Sequence, residues 1–393
     1  MRILRTLPTT RLVAAIAAVV LIAVGGAAVA VAAKNGGGTP PPEPLAQAIH
    51  DALSAQKPTA LSGRVDFING LFPSGSLIGQ NGTPLMSGAS GRFWINDKGG
   101  RIELQSSDGG SDAQIVWNDT KVTVYDASSQ TAYVFDLPAQ SGSTTHASGT
   151  PPTVADISSF LSKLGQHWNV SGAQPSNVGH QPAYTVSISP SHDGGLLGKA
   201  ELAWDAATGA TGVPLEVAVY AQGQSQPTLA LRVTDLSTGG VSDSDVQWTP
   251  PSGTKIVDLS TAGKDTGGSS APAVTGLANV QAAAGFPVTA PDTLVGLPRQ
   301  DIRLVGPADA RSALAVYGQG LGAIVVVERK AGSSAGGGSA LGSVPTISLD
   351  GVTAHELSTP LGTVVTWERG GVSYVLAGSI PAAAAQAAAT ALR

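Results

Sequence analysis

Apolar positions occur along this chain first as one unbroken run, then at helical spacing, then at every second residue. The unbroken run is Leu12 to Ala33, 22 residues without a charge, preceded by Arg2, Arg5 and Arg11. Leu45, Ala48, Ile49, Ala52 and Leu53 then share one face of a helix over Leu45 to Ala55, and Pro58 ends it. From there the period is two. Leu61–Leu71, the segment around Phe93-Trp94-Ile95, Arg101–Gln105, Ala113–Trp117, Lys121–Tyr125 and Thr131–Asp136 read as short strands separated by Gly-Gly, Asn-Asp and Ser-Ser-Gln turns. Such close spacing predicts an antiparallel meander. Val122 and Val124 with polar neighbours predict a sheet with one apolar and one wet face.

A second helix is predicted where Val154, Ile157, Phe160, Leu161 and Leu164 return to helical spacing, with Asp156 in its early turns. Four more strands follow at Tyr184–Ser189, Lys199–Asp205, Pro214–Tyr220 and Thr228–Thr234, with a hairpin loop at Ala207-Thr208-Gly209 between the middle pair. Ser260 to Pro272 is polar, aperiodic and Gly/Ser-rich, which marks a linker. Beyond it a helix at Leu277–Ala284 precedes strands at Arg303–Val305, Ser312–Tyr317, Gly322–Glu328, Thr346–Leu349, Thr363–Glu368 and Ser373–Leu376. An Ala-rich helix, Ala382–Leu392, starts after Pro381. The expected organisation is a basic N-terminus (1–11), an apolar segment (12–33), a spacer (34–44), a first domain (45–259), a linker (260–272) and a smaller α+β domain (273–393).

The 22-residue run is longer than a signal-peptide core of about 7–15 residues and reaches the roughly 20 of a membrane span. A single-pass anchor is therefore expected, with the arginines cytoplasmic and the domains outside. The alternative is cleavage and secretion, since Ala28-Val29-Ala30 and Ala30-Val31-Ala32 both offer A-x-A sites.

Composition narrows the chemistry. There is no Cys, which excludes disulfides, thiolate metal sites, a cysteine nucleophile and a thioether-linked lipid anchor. A net charge of −5 offers no basic footprint, so no nucleic-acid partner is expected. The 50 Gly and 26 Pro concentrate in the spacer, the linker and loops such as Pro138–Pro152 and Ala331–Ala340, and so read as module separators. Gly332-Ser333-Ser334-Ala335-Gly336 matches G-x-S-x-G, but in low-complexity loop sequence without the strand–turn–helix setting of a nucleophile elbow. No two of the six histidines lie within four residues, so no helical zinc pair exists, and no metal or cofactor is expected. Asp243 and Asp245 read as a polar turn before Trp248. Alternation puts Phe93, Ile95, Ile102, Leu104, Ile115, Trp117, Val122, Val124, Leu202 and Trp204 on an apolar sheet face, the candidate lining of a ligand groove.

The phrases Leu61-Ser62-Gly63-Arg64-Val65-Asp66-Phe67, Gly100–Leu104, Val122–Asp126 and Leu202-Ala203-Trp204-Asp205…Gly209…Val213-Pro214-Leu215-Glu216-Val217 resemble the LolA-like superfamily: lipoprotein-sorting carriers, their receptor, and RseB-type envelope-stress regulators. The resemblance spans roughly Leu45 to Leu259. It implies an α+β fold with an open antiparallel half-barrel sheet closed by helices, and an apolar cavity for the acyl chains of lipids or lipoproteins. It also implies no catalytic residues, so the protein is expected not to be an enzyme. The RseB branch would make an anti-sigma factor in the membrane a partner. The C-terminal region, through Asp350-Gly351-Val352 and Val365–Ser379, resembles a domain of unknown function found in exported bacterial proteins. An extra domain and an anchor both depart from a soluble shuttle and favour a tethered lipid-binding or sensing role.

Overall fold

The computed structural model describes residues 38–56, 58–71, 84–106, 112–137, 151–206, 212–259, 274–306, 311–332 and 344–392. The apolar run Leu12–Ala33, the Ser260–Pro272 linker, His146, the Ala207–Gly209 loop and Ser333–Gly336 of the G-x-S-x-G stretch lie outside them. Among the described residues no helix is long and apolar enough to cross a membrane. The protein is mostly β with few helices. It divides into two compact units after Ser260, and the second also takes in His192–Gly198.

The first unit opens with helix α1 (Leu45–Ser54), strand β1 (Leu61–Asn69) and a one-turn helix α2 (Pro84–Ser87). Five strands follow: β2 (Ala89–Asn96), β3 (Gly99–Ser106), β4 (Asp112–Trp117), β5 (Lys121–Asp126) and β6 (Thr131–Asp136). Then come α3 (Val154–Leu164), β7 (Trp168–Val170), β8 (Gln174–Val178), β9 (Gln181–Pro190), β10 (Leu197–Asp205), β11 (Pro214–Ala221), β12 (Leu229–Thr238), one-turn helix α4 (Asp243–Val246) and β13 (Lys255–Asp258). Among the described residues thirteen strands make one open sheet in the order β13-β6-β5-β4-β3-β2-β1-β12-β11-β10-β9-β7, with β8 beside β9. The edge pair β13–β6 is parallel, whereas β1 to β6 form an antiparallel meander closed on β12 by β1.

Short polar side chains set the meander's turns. Asn118 Oδ1 accepts from the backbone N–H groups of Thr120 and Lys121, both at 3.0 Å, and Asp126 Oδ1 accepts from that of Ser128 at 3.0 Å. These local bonds hold the tight turns that fix strand register. A β-bulge between Arg64 and Val65 shifts the β1–β12 pairing. Near the far end, the β8–β9 turn returns to β12. A Cβ on Gly179 would sit 2.6 Å from the Val233 carbonyl oxygen, and Gly179 has φ +58°, so glycine alone meets both demands. The main core of the unit collects Leu61, Val65, Phe93, Leu104, Ala183, Ala203, Leu215 and Val233, with Leu85 of α2 packed against it.

Helix α3 begins with a capping box. Thr153 Oγ1 accepts from the Asp156 N–H at 3.2 Å, and Asp156 Oδ2 accepts from the Thr153 N–H at 3.1 Å. The Thr153 hydroxyl, which donates to Asp156 Oδ2 at 2.7 Å, and then the Thr153 N–H hold the Asp156 carboxyl below the usual carboxylate range. α1 uses Ala48, Leu45, Ile49 and Ala52 to pack on Tyr184, Val186 and Trp204. His50 of α1 lies with Nδ1 2.9 Å from the Pro152 carbonyl, just before α3.

The second unit contains α5 (Leu277–Ala284), β14 (Thr293–Leu294), β15 (Leu297–Val305), β16 (Ser312–Tyr317), β17 (Ile324–Lys330), β18 (Thr346–Leu349), β19 (Val352–Thr359), β20 (Gly362–Arg369), β21 (Val372–Gly378) and α6 (Ala382–Ala391). Its sheet runs β14-β15-β16-β17-β21-β20-β19-β18. One core joins Val280 of α5 and Ala385, Ala388 and Ala389 of α6 to Val326, Val365 and Leu376 of the sheet. Alanine suits α6 because a short side chain lets the helix approach the sheet closely. Within this core stand Trp367 and Tyr374, stacked at 4.9 Å, and a carboxyl, Glu328, only 1% exposed. β14 and β19 are additions to the strands expected from the sequence: β14 has two residues, and β19 (VTAHELST) lacks clean alternation.

Candidate functional site: the apolar face of the first sheet

Cross-strand register decides which side chains share a face, because directly opposed residues project to the same side. Phe93 pairs with Ile102, Ile102 with Ile115, Ile115 with Val124 and Val124 with Tyr133. A second row runs from Ile95 through Gly100 and Trp117 to Val122 and Phe135. Leu104 lies between Gly91 and Ala113 on the same side. Eight of the ten expected lining residues, those on β2 to β5, therefore share one face of the sheet.

Burial divides that face. Phe93 and Leu104 are buried in the main core, and Ile95 and Ile102 pack against it. Ile115, Trp117, Val122 and Val124 are half-buried, while Tyr133 and Phe135 on β6 are exposed, Phe135 at 40%. The apolar surface thus runs outward from a filled core to an open edge. Trp117 lies across Gly100, where a Cβ would collide with its indole ring. Glycine at position 100 is what lets the ring lie flat along the sheet.

The other face is mixed: Trp94, Val116, Tyr125 and Ala132 share it with a row of polar side chains, and it is separately covered. Arg92, Glu103 and Gln114 oppose one another across β2, β3 and β4. Arg101 donates to Gln114 Oε1 at 3.0 Å, pairs with Glu103 and lies 5.7 Å from the Trp94 ring centroid. Trp248 meets Tyr125 with ring centroids 4.9 Å apart. Asp245 caps α4 by accepting from the Ser242 N–H at 2.8 Å, and Asp243 accepts from Asn96 at 3.1 Å. The bonds from Ser242 hold the Asp245 carboxyl below its usual range. The two carboxylates thus bind different partners.

Leu202 and Trp204 stand apart from the other eight. Their neighbour Ala203 belongs to the main core, so alternation turns Leu202 and Trp204 the opposite way, onto α1. There Trp204 meets Tyr184, 6.1 Å between centroids. Tyr133 and Phe135 are face members beyond those ten. Their signal was the Ala127–Gln130 turn, which sets Phe135 opposite Val122.

The chain is similar, at 10% identity and a TM-score of 0.32, to an uncharacterised conserved protein from Thermus thermophilus, over 55% of this chain and 96% of the other. It is similar to a domain described as a putative outer membrane lipoprotein-sorting protein from Vibrio parahaemolyticus, at 10% identity and a TM-score of 0.23, over 51% of this chain and 95% of the other. A LolA superfamily protein from Nitrosomonas europaea matches at 10% identity and a TM-score of 0.20, over 52% of this chain and 98% of that one. No family model matches the chain, and no curated protein does.

Proposed function

We propose that the first unit binds an acyl chain, of a lipid or a lipoprotein, along the face formed by Ile115, Trp117, Val122, Val124 and Phe135, and holds it without chemistry. One observation carries this: the row of apolar side chains continues past the filled core and stays half-open over β4, β5 and β6. Half-buried aliphatic and aromatic groups offer a bound chain roughly 25 cal/mol per Å² of apolar surface removed from water, about 0.8 kcal/mol per methylene. A chain of about ten methylenes laid along Ile115, Trp117 and Val122 would gain about 8 kcal/mol before the cost of ordering it, so the whole row, and not one contact, has to supply the affinity. The site belongs outside the cytoplasmic membrane, with Leu12–Ala33 as the anchor. That placement makes the protein a tethered lipid-binding module and not a free shuttle. The half-barrel curvature implied by the family resemblance would wrap this face around its ligand.

The test is Trp117→Asp. Binding of a fluorescent fatty acid should weaken at least tenfold while the far-UV circular dichroism stays as in the parent. Unchanged affinity in a folded variant would remove Trp117, and the face it anchors, from the site.

A further inference from the structure

The described chain does not begin loose. Asn177 Nδ2 donates to the Gly38 carbonyl at 2.9 Å, and the Tyr184 hydroxyl donates to the Pro41 carbonyl at 2.6 Å. Tyr184 is itself buried beside Ala48 and Trp204. The segment leading into α1 is thus fixed to the body of the unit from Gly38 onward. Between Gly38 and Ala33, the end of the uncharged run, stand only Lys34, Asn35, Gly36 and Gly37. Five Cα-to-Cα steps reach at most about 18 Å. A compact unit of roughly 200 residues has a radius of gyration of about 16 Å, so its breadth exceeds that reach. With Leu12–Ala33 in a bilayer, the side of the unit that carries Gly38 and α1 has to face the membrane.

That side carries unpartnered apolar groups. α3 packs on α1, and the two are joined by the His50–Pro152 contact. On this helix pair Leu53 is 51% exposed and Phe160 is 63% exposed. Lys163, one turn after Phe160, is exposed, and so are Asp51 and Asp156, so the apolar side chains and not charge would have to supply the attraction. We propose that the α1–α3 pair lies against the bilayer surface, with Phe160 and Leu53 entering the boundary between headgroups and acyl chains. The proposal rests on Leu12–Ala33 being retained as a span. Two apolar side chains would hold a free protein only weakly. A tether this short makes their insertion intramolecular and raises its effective concentration.

The experiment uses the full chain in vesicles of phosphatidylcholine and phosphatidylglycerol. The chain has no Cys, so Phe160→Cys, and separately Leu53→Cys, each supply one labelling site. A fluorophore at either site should be quenched by lipid carrying a nitroxide near the headgroup and shielded from aqueous iodide. A label open to iodide and untouched by nitroxide lipid, on a chain that resists alkaline carbonate extraction, overturns the docking alone. Removal of the chain by carbonate overturns the anchor, and the docking falls with it.

Discussion

Glu328 is a carboxyl in the apolar core of the second unit, accepting from the Thr289 N–H at 2.8 Å. Burial pushes its pKa up from 4.5 to about 7, and the Thr289 bond only partly opposes that. Tyr374 beside it on β21 is pushed up by burial as well. An acid with a higher pKa folded than unfolded binds its proton more tightly in the fold. Its contribution to stability is complete below about pH 4.5 and is lost as pH rises through about 7. The thermal transition of the second unit should therefore fall between pH 5 and pH 8. Glu328→Gln should flatten that fall and be the more stable form at pH 8, as read by calorimetry on the full chain. Parallel pH curves for parent and variant would show that Glu328 does not titrate in this range. The sequence says little at this scale: Ile324 to Val327 is apolar at every position, so only the fold shows that Glu328 shares the buried side with Ile324 and Val326.

Elements were legible where one period dominated. α1, α3, α5 and α6 follow the expected helical spacings to within a residue or two, and β2 to β6 follow the expected alternation. The capping box of α3 adds a local reason for its start at Val154. Thr153→Ala should cost that helix about 1 kcal/mol. Faster amide exchange in its first turn, with little change elsewhere, is the expected signature; unaltered exchange there would mean the cap contributes nothing. Short strands escaped. β7 has three residues and β8 carries a Pro, and neither length nor pattern marks them. Register across the meander was readable because its tight turns chain one strand's alternation to the next. That chain does not extend to β10. Alternation shows that Leu202 and Trp204 share a side, but not that α1, some 150 residues away in sequence, would cover it.

At the scale of the molecule, the sequence predicts an α+β fold with an open half-barrel sheet, whereas the protein is mostly β with few helices and has an apolar sheet face. The extent of that face was less legible. The core fills Phe93 and Leu104, while Tyr133 and Phe135 extend the open part toward the edge. Long-range packing decides which apolar positions are filled and which stay half-open, and no local pattern encodes that. The central claim is that the half-open part holds an acyl chain. Native mass spectrometry of the full chain, released from its membrane in a gentle detergent, tests this most directly. The parent should carry one acyl lipid that survives detergent removal, and Trp117→Asp should carry none. A folded parent free of lipid, or equal retention by parent and variant, would contradict the claim.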